Sequence, residues 1–459
     1  MTLKAVDVFT PGSFPEYTYV QRADRGLEQD LRDSLDTTGQ VVSISGPSKS
    51  GKTVLVEKVV GKENLITVTG ASIREAPDLW DQVLDWMDFP STTSSSRTIG
   101  GSVSVGAAAK GGLAVPFVAK GEVSTTGQAS LDANSTTGAT KERRGLQQVT
   151  REIANSSFVV LIDDFHYMPR EVQMEVAKAL KEAVRLGVKI VTAAVTHRGD
   201  DVVRANPELR GRVRSIDLAY WTPPELKAIA SAGFTALNAQ FESFTAEAFA
   251  KESAGSPQLM QLLCLESCFV ANLRRRHEGM IPTVLNFDPE LRFRVLEQTS
   301  SRTDYRSLVD VLDAGPPTRG TKRITFSFRD GTSGDVYRAV LKAAASDPPQ
   351  LSFGYDELLA RTALICSNDP PAGSSVTSTC VHMSKLAADK FPSERAIDWD
   401  DSKPVLDIPD PYLMFYLRWS GRLRIPQRSA SVQAQRQLSE SGQETILESL
   451  NPPGEDASE

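Results

Sequence analysis

The sequence predicts an α/β protein: a parallel sheet with helices on both faces, then an all-helical lid and a C-terminal winged-helix module. Three observations predict it. Short apolar, β-branched runs alternate with stretches of helical periodicity through the first half of the chain. One glycine-rich turn, GPSKSGKT (46–53), stands between such a run and such a helix. Near the C-terminus three short helical units precede a strand–turn–strand pattern.

The elements follow in order. Pro11, Gly12 and Pro15 make residues 1–25 loop-like, and Leu27, Leu31 and Leu35 then share one helix face. VVSIS (41–45) reads as a strand buried on both faces, LITVTG (65–70) as a second, and PDLWDQVLDWM (77–87) as an amphipathic helix. FVVLID (158–163) is another strand, REVQMEVAKALKEAVRLG (170–187) a helix closing on Gly187, and VKIVTAAVT (188–196) a further strand. This alternation assigns 1–220 to a doubly wound core. The lid runs over 221–277, starting where Thr222 can cap a helix that opens on two prolines. A mixed segment (278–335) leads to the winged helix (336–425) and a polar tail (426–459) expected to be disordered.

Residues 91–141 break the rhythm, being rich in Ser, Thr, Gly and Ala, with Val103, Val105, Phe117, Ala119 and Val123 all on odd positions. They read as an insertion: a solvated hairpin with flexible flanks, or a contact to another subunit or partner. Lys110 and Lys120 interrupt it against a membrane-active role.

The chain has 459 residues, enough for two or three domains with their own cores. A net charge of −7 excludes a protein wrapped in nucleic acid over its whole surface and leaves room for a local basic face. No apolar run reaches the ~18–20 residues that span a bilayer, so no membrane partner is expected. MTLKAVDVFTPGSF lacks the apolar core of a secretion signal. The four cysteines lack metal-ligand spacing; Cys264 and Cys268, four apart in a helical run, read as buried thiols. A reducing cytoplasm fits this usage.

GPSKSGKT matches Gly-x-x-x-x-Gly-Lys-Ser/Thr in the strand–loop–helix context that a phosphate-binding loop needs. Gly46 and Gly51 would let the stretch Gly46, Pro47, Ser48, Lys49, Ser50, Gly51 curl its N–H groups toward phosphates, at a helix N-terminus. Lys52 would meet the β- and γ-phosphates of ATP, and the Thr53 hydroxyl would hold Mg²⁺. Asp163, at the tip of FVVLID, is the second magnesium-side candidate. Asp164 stands where a glutamate commonly orients the attacking water; it is one methylene shorter, and it could instead cap the following helix. The next strand ends in Thr196, a candidate γ-phosphate sensor, followed by Arg198, which is a phosphate sensor or an ordinary ion-pair partner.

The order of P-loop, Asp–Asp strand, polar strand tip and ELRGRV (208–213) resembles AAA+ and STAND-type P-loop ATPases. The nearest likeness is to the branch with origin-recognition initiators and archaeal-type STAND ATPases. In that resemblance an arginine at Arg210 or Arg212 would reach a neighbouring subunit's γ-phosphate; a surface arginine in a basic turn is the alternative. SAGSPQLMQLL (253–263) is similar to the Gly-x-Pro segment that opens the last lid helix and contacts nucleotide through Pro257. Many AAA+ members carry an arginine after that proline; here it is Gln258, which favours the STAND side. VLDIPDPYLMFYLRWS (405–420) resembles the end of the winged helix in archaeal-type STAND ATPases.

The resemblance implies an ATP-binding, slowly hydrolysing molecular switch in signalling or antiphage defence. It would act as a homo-oligomer with a separate effector or sensor protein. The alternative is a DNA-associated loader or transposition-type regulator, for which the winged helix and the clusters Arg274-Arg275-Arg276 and Lys322-Arg323 speak. Against it, SSVTSTCVHMSKLAADK carries only two lysines. A nucleotide-binding scaffold that never hydrolyses is the third class.

Overall fold

The computed structural model describes residues 2–22, 25–88, 145–195, 201–318, 320, 322–392, 396–401 and 403–423. The insertion expected at 91–141, the tail at 426–459, and Thr196 and Arg198 lie outside these residues.

After a short helix α1 (Ala5–Val8), the core runs α2 (Leu27–Asp36), β1 (Val41–Ser45), α3 (Lys52–Val60), β2 (Leu65–Thr69) and α4 (Ala76–Trp86). It continues with α5 (Leu146–Ile153), β3 (Val159–Asp163), α6 (Arg170–Arg185), β4 (Lys189–Ala194), α7 (Asp201–Ala205) and β5 (Val213–Asp217). The five strands are parallel, in the order β2-β3-β4-β1-β5. The period-two pleat divides the strand side chains between two cores. Val160 and Ile162 of β3 pack with α4, α5 and α6, whereas Val159 and Leu161 pack with α2 and α3. A strand buried on both faces is largely apolar, which is why β3 reads as an apolar run up to Asp163 and β1 as apolar residues broken only by the small Ser43 and Ser45.

The lid comprises α8 (Pro223–Ala236), β6 (Ala239–Phe241), α9 (Ser243–Glu252) and α10 (Pro257–Val270). It is helical apart from β6, which pairs in parallel with β7 (Thr283–Leu285) of the following segment. Glu225 reaches back to Thr222 at the start of α8, accepting from its backbone N–H at 2.7 Å and from its hydroxyl at 2.9 Å. The N-terminal residues belong to this core. Ala5, Val8 and Phe9 are fully buried in it, and the Ala5 N–H donates to the Arg274 carbonyl (3.0 Å).

Two helices, α11 (Pro289–Ser301) and α12 (Arg306–Ala314), and a small hairpin of β8 (Phe326–Ser327) and β9 (Ser333–Gly334) lead to the C-terminal module. There α13 (Val336–Ala344), β10 (Ser352–Gly354), α14 (Tyr355–Ile365), α15 (Gly373–Lys390), β11 (Asp398–Asp400) and β12 (Val405–Asp407) make three helices and an antiparallel sheet, β10-β12-β11. This is the winged-helix form, with β10 added to the expected pair of strands.

The final apolar stretch is a helix, α16 (Pro411–Trp419), clamped between two cores. Its Leu413, Met414, Tyr416 and Leu417 pack in the winged helix, while Tyr412 and Phe415 pack in the lid. Arg418, 4% exposed, donates to lid Glu252 at 2.8 and 2.9 Å and to Asp347 at 2.5 Å. The winged helix is therefore bound to the lid by both apolar and ionic contacts.

Candidate functional site

The turn at 46–53 leaves the C-terminal end of β1 and enters α3, as its sequence context requires. A Cβ at Gly46 would sit 2.7 Å from the Leu218 carbonyl oxygen, so only glycine lets β1 and the end of β5 close here. Lys49 and Gly51 are both left-handed (φ 60° and 93°), which bends the loop around its own amides.

Lys52 is 8% exposed and donates from Nζ to the carbonyls of Gly46 (3.0 Å) and Pro47 (2.9 Å). Burial pushes its pKa down, and the carboxylates of Asp163 and Asp164 oppose that fall. Thr53 Oγ1 donates to Asp163 Oδ2 at 2.7 Å. The loop and the tip of β3 thus bring a hydroxyl and a carboxylate oxygen together although β4 runs between their strands. Such hard oxygen donors suit Mg²⁺. Among the described residues no three His, Cys, Asp or Glu gather to hold a metal by themselves. A magnesium ion here would therefore complete its shell with phosphates and water.

Asp164 is half-buried and lines the same cavity. Burial and the neighbouring Asp163 raise its pKa, against the pull of Lys52. Its backbone is left-handed (φ 55°, ψ 42°), and its N–H donates to Asp163 Oδ1 at 3.0 Å.

The cavity above the loop measures ≈ 530 Å³, in the range of small-molecule sites. Ser48, Lys49, Ser50, Gly51, Lys52 and Thr53 form its floor, with Asp163 and Asp164 on one side. Pro257 and Gln258, in the first turn of α10, close it from the lid. Val195, just past β4, also lines it, so the strand tip expected to carry a sensor faces the site; Thr196 itself is outside the described residues.

Sequence reasoning missed three contributors. Residues 10–15 and 18–20, taken as a simple loop, form one wall of the cavity. Trp221, at the core–lid junction, donates from Nε1 to the Ser50 carbonyl at 2.9 Å, so the loop and the lid hinge share a hydrogen bond. Arg22 fastens the same junction, donating to Glu225 (2.8 Å) and to the carbonyls of Ala219 (3.0 Å) and Tyr220 (3.2 Å). The third contributor is Asp410 at the head of α16. It accepts from Lys49 Nζ at 2.7 and 2.8 Å and from the Tyr305 hydroxyl at 2.5 Å, while the Lys49 ammonium lies 4.2 Å from the Tyr412 ring centre.

Arg210 and Arg212 are exposed and do not line this cavity. The Arg212 carbonyl accepts from Val41 at the start of β1, whereas the loop leaves the other end of that strand. The length of the sheet, about 17 Å at 3.3–3.4 Å per residue, separates Arg212 from its own chain's loop.

No protein-family model matches the chain, and no curated protein does. Among solved structures, the chain is similar to the ORC2 protein of Aeropyrum pernix in its ADPNP–ADP complexes. The identity is 12% and the TM-score 0.46, covering 94% of this chain and 100% of that one. It is also similar to a Walker-type ATPase of Pyrococcus abyssi (13% identity, TM-score 0.44, 88% and 99% covered). A third likeness is to Cdc6p of Pyrobaculum aerophilum (12% identity, TM-score 0.40, 92% and 99% covered). At TM-scores this low none of these bears on what the site does, and the fold stands on the sheet order and the loop geometry.

Proposed function

We propose that this protein is a P-loop ATPase that works as a slow molecular switch, binding Mg²⁺·ATP in the ≈ 530 Å³ cavity and passing the state of the site to its winged helix. The observation that carries this reading is the Lys49–Asp410 pair. A lysine on the floor of the phosphate site is held by a carboxylate of the C-terminal module, so a phosphate and the module compete for one cation.

The residues divide the chemistry. The loop amides and Lys52 bind and orient the phosphates, and Pro257 closes the nucleotide from the lid. Thr53 and Asp163 would hold Mg²⁺, which when bound neutralises phosphate charge. Asp164 accepts the proton of the attacking water. Thr196 would sense the γ-phosphate, and Arg212, remote from its own loop, would serve a neighbouring copy in a homo-oligomer. The N-terminal residues, the lid and Trp221 line the rest of the site.

Electrostatics of the winged helix favour a switch over a DNA-bound loader. Its wing carries Asp398, Asp400 and Asp401, with negative charge where a nucleic-acid backbone would approach. Of the basic clusters, Arg274 lies over the Phe269 ring (4.4 Å), and Arg323 pairs with Asp335. The role in signalling or antiphage defence through a separate effector or sensor extends the same reading, as does a reducing cytoplasm, where the four free cysteines would persist. Among the described residues no helix is long and apolar enough to cross a membrane.

The test is hydrodynamic size and native mass of the full chain with ADP, ATP and a non-hydrolysable analogue, beside hydrolysis rates over protein concentration. A change of shape or mass between ADP and ATP supports the switch. Identical shape and mass in every nucleotide state overturns it.

A further inference from the structure

We propose that Gly70 is a positioning residue for Asp164: its bare Cα seats the Asp164 carbonyl, holds Asp164 left-handed, and so makes this position select aspartate over glutamate. The inference rests on reading the cavity as an ATP-hydrolysing site.

The geometry begins with the register of two strands. Thr69, the last residue of β2, pairs with Asp163, the last of β3, so Gly70 and Asp164 leave the sheet side by side. A Cβ at Gly70 would lie 2.4 Å from the Asp164 carbonyl oxygen and 2.9 Å from its carbonyl carbon. Both are backbone atoms that no rotamer change can move, so any side chain at 70 displaces Asp164 itself. The same carbonyl accepts from the Tyr167 N–H at 3.0 Å, closing the tight turn Phe165–Tyr167. The carbonyl is fixed from two sides.

The conformation that results is φ 55°, ψ 42°. L-residues other than glycine pay for left-handed backbone, and aspartate and asparagine tolerate it best because their short polar side chains bond locally. The Asp164 N–H donates to Asp163 Oδ1 (3.0 Å), a backbone bond that anchors the turn whatever the side chain at 164. A glutamate would lack this tolerance and would carry its carboxylate a methylene further. The backbone turn, not side-chain length, therefore sets the reach of the carboxylate into the cavity. The second aspartate is an adaptation to the turn and not a weakened glutamate.

In the reaction, a water oxygen bonds to the γ-phosphorus while the bond from that phosphorus to the β–γ bridging oxygen breaks. Asp164 takes the water's proton and returns it to the phosphate product or to solvent, leaving ADP and inorganic phosphate. Misplacing such a group by about 1 Å costs up to ~100-fold in rate.

The experiment uses the full chain with Gly70→Ala, Asp164→Glu and Asp164→Asn. It measures equilibrium ATP binding, kcat and KM, and affinity for ADP with aluminium fluoride, which engages the attacking water's position. Gly70→Ala and Asp164→Glu are each expected to lower kcat about tenfold or more, to leave KM and ATP affinity within about twofold, and to weaken the aluminium fluoride complex. Asp164→Asn, which fits the left-handed turn, should keep ATP binding and lose about 100-fold or more in kcat. An Asp164→Glu variant as fast as the parent, or a folded Gly70→Ala variant with unchanged kcat and aluminium fluoride affinity, overturns the proposal. Should Gly70→Ala fail to fold by thermal melting, Asp164→Glu decides alone. A parent chain that binds no ATP sinks the underlying site reading instead, so the two failures are distinct.

Discussion

Lys49 of the glycine-rich loop and Asp410 at the head of α16 are joined by two hydrogen bonds of 2.7 and 2.8 Å across 361 residues of sequence. Asp410 also caps α16, accepting from the Tyr412 N–H at 2.9 Å, and takes the Tyr305 hydroxyl at 2.5 Å. One carboxylate thus orders the end of the winged helix and occupies a cation of the phosphate site. Two side-chain donors, Lys49 and Tyr305, converge on it besides the N–H of the helix N-terminus.

Because a phosphate must compete with that carboxylate, Asp410→Asn is expected to raise ATP affinity. A partly exposed pair is worth about 1 kcal/mol, which corresponds to roughly fivefold in Kd. Titration with labelled ATP checks it. Unchanged or weaker binding would mean that Lys49 does not serve both groups. Tyr305→Phe, which removes one donor and leaves the charge pair, should move affinity less than Asp410→Asn.

Lys52 is the cation that the loop cannot replace. Its ammonium is almost completely buried and shares the site with two carboxylates. Lys52→Ala is therefore expected to abolish ATP binding at micromolar nucleotide. Chelating magnesium, or replacing Thr53 or Asp163, should weaken ATP more than ADP, because the ion these residues would hold would offset the larger phosphate charge of ATP. Calorimetry with and without magnesium separates the effects, and ATP binding unchanged in Lys52→Ala would overturn the site assignment.

How much of this was legible beforehand follows from burial. β1 and β3 are buried on both faces, so their apolar runs could be read directly, and the loop between β1 and α3 announces itself by its glycines. Helix α16 was only an apolar stretch in sequence, because both of its faces are buried and no period survives. Strand β6 has three residues and a parallel partner beyond α10, below what a sequence pattern can signal. Residues 10–20 have no regular repeat, so nothing marked them as a cavity wall. Lys49 and Asp410 each looked like ordinary charges; only the fold puts them together. The left-handed turn at Asp164 left one trace, the aspartate itself.

Arg212 gives a prediction about assembly. It is exposed and lies at the opposite end of the sheet from its own loop. Arg212→Ala is expected to leave ATP binding intact and to lower hydrolysis about 100-fold or more where the chain assembles. Rates measured against protein concentration check this. An equal loss in a demonstrated monomer would assign the effect to folding or to some contact within the chain.

The strap formed by Arg22 and Glu225 carries a pH dependence. Glu225 is partly buried, which raises its pKa, but hydrogen bonds from Thr222 and Arg22 outweigh this and hold it below the ordinary 4.5. A carboxylate with a depressed folded value stabilises the fold fully above its unfolded value and loses that contribution as pH falls through the folded one. The melting temperature of the parent should therefore exceed that of Glu225→Gln near neutral pH, and the gap should close below about pH 4. A gap that stays constant across that range would show that the charge on Glu225 is not what stabilises the strap.

The winged helix offers a last prediction, on stability. Lys342 of α13 is 0% exposed, yet its ammonium bonds Asp330 in the β8–β9 turn, Thr332 Oγ1 (2.7 Å) and the Leu423 carbonyl (2.7 Å). It also faces the Phe328 ring, 4.8 Å from its centre. Three separate segments are therefore held through one buried charge. Removing its counter-ion leaves that charge uncompensated, so Asp330→Ala is expected to cost about 3 kcal/mol. Replacing both members with apolar residues, Lys342→Met with Asp330→Leu, removes the buried charge along with its partner and should cost much less. Thermal melting of the two variants beside the parent makes the comparison. If Asp330→Ala melts with the parent, Lys342 either escapes to solvent or gives up its proton, and the hairpin is not anchored by this pair.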